Sequence, residues 1–476
     1  MSSNSTENIT VSGRRPDRAM ILTIITLAWP TMVEQAMQTL VQYIDTAMVG
    51  ALGTEATAAV GATTTVNWLV GSTISALSIG FLADISKSFG AGRSEFARRA
   101  SAQSVLMVLI TGIFFTVVTV SLSRKVPVWM NVEESIQDMA SMYFLILYLP
   151  MLPRTASIIF GTVLRAAGDT KTPMKIGILI NLLNITLNFL LIYPTRTMTV
   201  LGVCIVMPGA GLGVIGAAAA SAAAFLIGGI QIFICLWRHP RISPKGYSLR
   251  PDPEILWPCL QVTWPNMLQR FGTSLGYVAF ASMINSLGAV ATAAHTIANT
   301  VESAFYIPGY GMQTAAATLA GNAYGAGDRK AMKSLAAMMI PLEIGLMIVS
   351  GGALFVLAPP LVGMFTENPK VIALGITVLR MVAVSEPFFG FGIIVEGLML
   401  GVGKTRAPFV YNIVGMWGIR IAGTFICTQM MGMGLAAAWA CMIAHNLLLF
   451  VLFGYSLVSG TWNPLNSYEK NFDEKN

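Results

Sequence analysis

The chain has 476 residues, of which 55% are hydrophobic and 11% are Asp, Glu, Lys or Arg, against about 25% charged in a soluble globular protein. With a mean hydropathy of +0.68, this composition excludes a water-soluble enzyme, a disordered hub and a nucleic-acid binder. The net charge of +7 leaves an acidic partner open until the positions of the basic residues are read.

A helix needs about 20 mostly apolar residues to cross the hydrocarbon core. Such runs fall at 20–49, 56–85, 98–121, 138–163, 173–193, 212–237, 257–286, 291–320, 334–357, 371–400, 408–430 and 433–458. Residues 1–13 are polar, and the first run is long and interrupted by Glu34 and Asp45, so no cleavable signal is expected. Twelve spans put both ends on one side. One alternating set of loops and tails holds 21 Lys and Arg and the other holds 4; four more sit in or beside the spans, which accounts for all 29. The positive-inside rule then places both termini in the cytoplasm of a multi-pass protein of the inner (cytoplasmic) membrane. The basic balance marks orientation, not a polyanionic partner.

The first span carries Glu34, Gln38, Gln42 and Asp45 at spacings of 4, 4 and 3, one polar stripe on an otherwise apolar helix. Charges in hydrocarbon are costly and normally face a bundle interior or a water-filled cavity. Asp45 therefore suits reversible binding of a proton, or of sodium if further oxygens converge there. The fifth span carries Asn181, Asn184 and Asn188 on one face, able to complete a cation site or to glue helices together. Arg154 lies in the fourth span and needs an oxygen partner.

Sliding the sequence along itself until Trp29-Pro30 meets Trp264-Pro265 also aligns Leu52-Gly53 with Leu287-Gly288, and Gly90-Ala91-Gly92 with Gly325-Ala326-Gly327. Sixteen of 64 ungapped positions match from Trp29 to Gly92, and in the same register Gly168, Thr170 and Pro173 fall on Gly403, Thr405 and Pro408. The chain reads as two homologous halves with six spans each, inserted in the same orientation. The expected division is a tail over 1–18, an N-lobe over 19–237, a linker over 238–256, a C-lobe over 257–458 and a tail over 459–476.

In the second half, His295, Glu302 and Tyr306 share one helix face, and Glu386 precedes Pro387. Glu343 and Glu396 are further acids within spans, and Arg420 needs a partner as Arg154 does. The five cysteines form no CxxC pair and read as small hydrophobes. No Walker A loop, HExxH or GxSxG is present, so the chain is expected to be no enzyme, to bind no cofactor and to hold no structural metal. The stretch GAGLGVIGAAAASAAA reads as close helix packing.

The chain resembles the multidrug and toxic compound extrusion (MATE) family from Trp29 to about Asn446. YIDTAMVGALG, SFGAGRSEFARRA, LRAAGDTKTP and GLGVIGAAAA carry the likeness, with NAYGAGDRKA and LGVGKTRAP in the second half. The resemblance implies an all-α polytopic fold of twelve transmembrane helices in two six-helix lobes, related by a pseudo-twofold along the membrane normal. It also implies export of cationic or amphipathic organic compounds in exchange for protons or sodium. Asp45 matches the family's first-span acid, and Asn184 and Asn188 its polar pair on the fifth span. Proton-coupled archaeal members carry an Asp where Asn188 stands, which puts a two-carboxylate site in doubt. Thr273 and Phe389 replace acids of the NorM-like branch, so the likeness is better to the DinF-like branch.

Two functions fit. The first is an antiporter with Asp45, Asn184 and Asn188 coupling cation movement to a small organic substrate. Its cavity would draw on Glu34, Gln38, Gln42, Arg154, His295, Glu302, Tyr306, Glu386 and Arg420. The coupling ion would be the proton, with sodium as the alternative at Asp45, and the chain would act as a monomer in the lipid bilayer. The second is a flippase or exporter of a lipid-linked or cell-envelope precursor.

Overall fold

A computed structural model describes residues 18–130, 132–200 and 203–466. Arg14, Arg15, Lys470 and Lys475, and with them most of both tails, lie outside the described residues. Helices α1 (Arg18–Gly50), α2 (Thr54–Gly90), α3 (Ser94–Leu122), the short α4 (Lys125–Trp129), α5 (Glu134–Tyr148), α6 (Met151–Ala166) and α7 (Lys171–Leu191) come first. A hairpin of β1 (Pro194–Val200) and β2 (Val203–Ala210) leads to α8 (Gly213–Arg238). Then follow α9 (Pro253–Asn285), α10 (Ala289–Gly325), α11 (Arg329–Gly363) and α12 (Pro369–Gly401). A continuous run of α13 (Arg406–Ile413), π-helical Val414–Ile421, α14 (Ala422–Thr424) and π-helical Phe425–Met430 precedes α15 (Leu435–Val458).

Each of the twelve predicted spans falls on one of these helices or helical runs. The fourth is split: α5 and α6 meet at a 50° bend, where Pro150 cannot donate the hydrogen bond that would continue α5. Among the described residues, nine helical segments are long and apolar enough to cross a membrane, and the α5–α6 pair makes a tenth. The remaining two, α9 and α10, have 33 and 37 residues, long enough to span but diluted by polar side chains and by Pro258, Pro265 and Pro308. The chain is a polytopic, all-α, multi-pass membrane protein. The hairpin is the one departure among the described residues, in a connection where the sequence predicts no regular element. Its register runs from Pro194 opposite Ala210, through an irregularity before Arg196, to Val200 opposite Val203.

Large apolar side chains lie on the outside of the bundle as well as in its core. Val349, Val356 and Val458 are 72%, 70% and 89% exposed, while small residues fill the helix contacts, as expected where lipid replaces water. A β-carbon added at Gly229 would strike the Pro153 backbone, and one at Gly216 the Leu191 carbonyl. Gly216 lies in the Gly/Ala-rich start of α8, which there packs closely, as its sequence predicts.

The duplication is written into the backbone. Gly53, Gly92 and Gly168 have φ of +115°, +70° and +87°, and their counterparts in the second half, Gly288, Gly327 and Gly403, have +99°, +67° and +80°. Each pair keeps a left-handed turn that a side chain would strain.

The described chain divides into two compact units. One holds Pro30–Ile85 and Ser94–Leu275; the other holds 18–29, Ser86–Arg93 and 276–466. In the first, Met48, Val49, Ala56, Ile192, Val214 and Ala217 form a small core where α1, α2, α7 and α8 converge. In the second, Phe280, Leu354, Val382 and Trp439 belong to a larger core shared by α9, α10, α11, α12 and α15. The segment after α8 is strapped onto α3: Arg98 donates to the Pro240 carbonyl at 2.6 Å, and Arg99 pairs with Asp252 at 2.5 Å and Glu254 at 2.8 Å.

Candidate functional site

The apolar face of α1 packs into the first unit's core through Met48 and Val49, which fixes the rotation of the helix and turns Asp45 toward α7. There Asn181, Asn184 and Asn188 are all buried, at 7%, 5% and 1% exposure. The Asn188 amide donates to Asp45 Oδ1 at 2.6 Å and to Asn184 Oδ1 at 3.2 Å. Asn184 in turn meets the Ser221 hydroxyl of α8 at 2.9 Å. Asp45, Asn188, Asn184 and Ser221 are therefore one connected polar chain across three helices.

The Asn184 amide has two productive orientations. In one its NH2 donates to Ser221 and its oxygen faces Asp45, an arrangement that needs a proton on the Asp45 carboxyl to bridge two oxygens. Exchanging O and N lets the NH2 donate to Asp45 Oδ1 at 2.8 Å and Oδ2 at 3.2 Å while the carbonyl accepts from Ser221 at 2.9 Å. That orientation suits an ionised Asp45. Rotation of one amide thus matches either protonation state and keeps Ser221 paired, while the exchanged orientation gives up the Asn188–Asn184 hydrogen bond. The oxygens at hand for a cation are the Asp45 carboxylate, the two amide carbonyls and one hydroxyl. Among the described residues no three His, Cys, Asp or Glu side chains group as metal ligands.

The remaining candidates of this unit take different roles. Gln38 and Gln42 are exposed. Glu34 leaves the stripe: both its oxygens lie on Arg165 Nη1, at 3.1 and 2.8 Å, with only 13% and 15% of the two side chains exposed. A carboxylate so paired joins helices rather than offering itself to a substrate. Arg154 finds its oxygen in Asn67 Oδ1 at 2.7 Å. Its guanidinium lies over the rings of Phe225 at 4.9 Å and Tyr148 at 5.6 Å.

In the second unit the candidates form an aromatic and carboxylic interior. Arg420 is 4% exposed and stacks on Phe280 at 4.3 Å and Tyr277 at 4.8 Å. Its Nη2 donates to Met442 Sδ at 3.0 Å. Among the described residues no carboxylate comes within ion-pair distance of it, so aromatic faces replace the expected oxygen partner. Glu302, 7% exposed, feels the Arg420 charge at longer range. His295 packs edge-on between Phe280 and Trp439, with centroids at 5.7 and 5.8 Å. Tyr306 meets Phe389 and Tyr310 at 5.5 and 6.1 Å. Glu386 is 2% exposed and packs against Gly351.

In the register that sets Trp29 on Trp264, Asp45 falls on Phe280 and Ile185 on Arg420. Corresponding helices therefore meet in both halves, with amide on carboxylate in one and guanidinium on aromatic ring in the other. The duplication kept the helix contact and changed its chemistry.

Sequence reasoning missed Ser221, Asn67, Arg165 and Asp84. Ser221 is a lone hydroxyl in an alanine run and Asn67 a lone amide in the second span, each visible as an isolated polar residue at membrane depth. Asp84 accepts from buried Cys259 at 3.0 Å. Cys235, Cys259, Cys427 and Cys441 are free thiols; the side chain of Cys204 lies outside the described residues.

A solved structure titled as a MATE in complex with MaL6 superposes with a TM-score of 0.85 at 22% identity, covering 94% of this chain and 97% of that one. One titled as the outward-facing conformation of a multidrug resistance MATE family transporter of the MOP superfamily also gives 0.85 at 22% identity, over 94% and 96%. In sequence, the chain is 28% identical over 440 residues to the probable multidrug resistance protein NorM of Thermotoga maritima, 92% of each chain. It is 24% identical over 438 residues to the probable multidrug resistance protein YoeA of Bacillus subtilis, 90% and 91% of the two. The MatE family model matches twice, at residues 30–190 and 265–426. The second match starts at Pro265, the residue that the internal repeat sets on Pro30, where the first match starts. With two matched segments that together cover most of its length, the chain belongs to the MatE family.

Proposed function

We propose that this chain is a secondary active antiporter that exports organic cations or amphipathic compounds in exchange for protons. It would act by alternating access, as a monomer, in the cytoplasmic membrane with both termini in the cytoplasm. Family membership and the multidrug resistance names of its relatives support drug-like small molecules as cargo. Transport rather than catalysis follows from the same membership.

The observation that carries the coupling is the Asp45–Asn188–Asn184–Ser221 chain. A proton arriving at Asp45 removes a charge from α1 and turns the Asn184 amide. The hold of α7 on α1 then changes from a charge-assisted hydrogen bond to a neutral one, a weakening of about 1 kcal/mol. That is enough to bias a two-state lobe between arrangements. Protons fit better than sodium because Asp45 is the one acidic side chain in the chain of contacts, with sodium as the alternative ion.

For one-to-one exchange, each pH unit across the membrane supplies about 1.4 kcal/mol, a roughly tenfold substrate gradient. The test is transport of ethidium by the full chain in proteoliposomes, with a pH or a sodium gradient imposed. Wild type should concentrate the dye against its gradient with the pH difference alone. Asp45→Asn should lose that accumulation while still carrying dye downhill. Uphill transport by Asp45→Asn equal to wild type overturns the assignment.

A further inference from the structure

The second unit holds an acid that the proposed coupling does not use. Glu343 on α11 is 0% exposed, and among the described residues neither of its carboxyl oxygens has a hydrogen-bond partner. It is seated in a notch built for it by two neighbouring helices. A β-carbon at Gly309 of α10 would lie 2.5 Å from Glu343 Oε1, and one at Gly390 of α12 would lie 3.3 Å from Glu343 Cγ. Met347, one turn on, closes the same notch, 2.6 Å and 2.5 Å from those two positions.

Each of the three helices carries a proline at this level. Pro308 adjoins Gly309, Pro341 stands two residues before Glu343, and Pro387 stands three before Gly390. An interior proline leaves the carbonyl four residues earlier without its helical partner and permits bending there. The titratable and charged groups around this level are Glu302, Tyr306 and Tyr310 on α10 and Glu386 on α12. Beyond them come Arg420, which acts on Glu302, and around Arg420 Tyr277 on α9, His295 on α10 and, on α15, His445. No base among them reaches Glu343: Arg420 acts on Glu302, the two histidines lie beside Arg420, and the acid beside Glu343 is Glu386, a like charge. An ionised carboxylate in such a place has neither a donor nor a counter-ion among the described residues, which costs far more than carrying a proton.

We propose that Glu343 is a proton-binding site of the second compact unit, protonated while α10, α11 and α12 are packed together and able to exchange its proton only when they part at their proline level. It is a site additional to Asp45, in a different unit and without amide or hydroxyl partners among the described residues, and it stands or falls independently of the Asp45 assignment.

Infrared spectroscopy of the full chain in lipid vesicles tests this. A protonated carboxyl with no hydrogen bond gives a C=O stretch at the high-frequency edge of the carboxyl region. Wild type at neutral pH should show that band; Glu343→Gln should lack it; Glu386→Gln and Asp45→Asn should keep it. Adding ethidium, to drive the transport cycle under an imposed pH gradient, should reduce the band and speed its exchange into D2O. A band that survives Glu343→Gln, or that is Glu343's but neither falls nor exchanges during turnover, overturns the proposal. Because Gln has the shape of the protonated acid, Glu343→Gln is expected to fold, and Glu343→Asp, which keeps an acid but withdraws it from the notch, should shift the band rather than remove it. Loss of uphill transport in Asp45→Asn with the Glu343 band still responding would separate the two sites.

Discussion

Removing one partner of the Glu34–Arg165 pair is the sharpest test of how the first unit is held together. Arg165 Nη1 bridges both Glu34 oxygens, at 2.8 and 3.1 Å, and the Glu34 stem packs on Gly177 of α7, so α1, α6 and α7 meet at this point. At 2.8 Å and an effective dielectric of about 20, the attraction is roughly 6 kcal/mol before desolvation is charged against it. With 13% and 15% of the side chains exposed, most of the desolvation cost has already been met, and stranding one charge should cost about 3 kcal/mol. Glu34→Gln and Arg165→Met should therefore each lower stability by about that much. The double variant should fall little further than either single one, a coupling energy at the upper end of the ~0.5–3 kcal/mol range for groups in contact. Equilibrium unfolding in mixed micelles, followed by tryptophan fluorescence, measures all three. Single losses that simply add and stay below about 0.5 kcal/mol, the size of an ordinary surface substitution, would show that Glu34 is free to serve the cavity, contrary to its placement.

Two further outcomes follow from packing and titration. Gly229→Ala should destabilise by about 1–3 kcal/mol, because its β-carbon would lie 2.6 Å from the Pro153 carbonyl carbon; Gly345→Ala, with nothing within 4 Å, should show no loss in the same unfolding assay. At the end of α8, burial pushes the His239 imidazole below its ordinary 6.5, and Asp169 pulls it back only in part. The folded state therefore favours neutral His239. Its contribution is complete above the unfolded value and is lost as pH falls through the lowered one. His239→Gln should flatten the dependence of melting temperature on pH in the mildly acidic range, and an unchanged slope would refute this.

Much of the fold was legible because a bilayer leaves the chain few choices. Runs of about 20 apolar residues must be helices there, and all twelve found one. The duplication was legible because left-handed glycine turns such as Gly53 and Gly288 tolerate no substitute, so both halves kept them in one register. Asp45 and the Asn184–Asn188 face were legible because polar side chains at helical spacing must turn to a common partner. Glu34 belonged to the same stripe by spacing, yet three turns away from Asp45 the neighbour is a different helix, and that helix carries Arg165. Spacing shows which residues share a face; it does not show what the face meets.

By itself, the sequence determined membrane residence, the number of spans, the duplication and a first polar helix face, all consequences of hydropathy and period along one strand of chain. The tertiary structure alone decided which polar residues join: Asn188 to Asp45, Asn184 to Ser221, Glu34 to Arg165, and Arg420 to aromatic rings instead of an acid. It alone set Glu343 in a notch of glycines, without a hydrogen-bond partner among the described residues. The physical reason is that the energy of a charge in hydrocarbon depends on the atoms within about 4 Å of it, and those atoms come from helices that are distant in the chain.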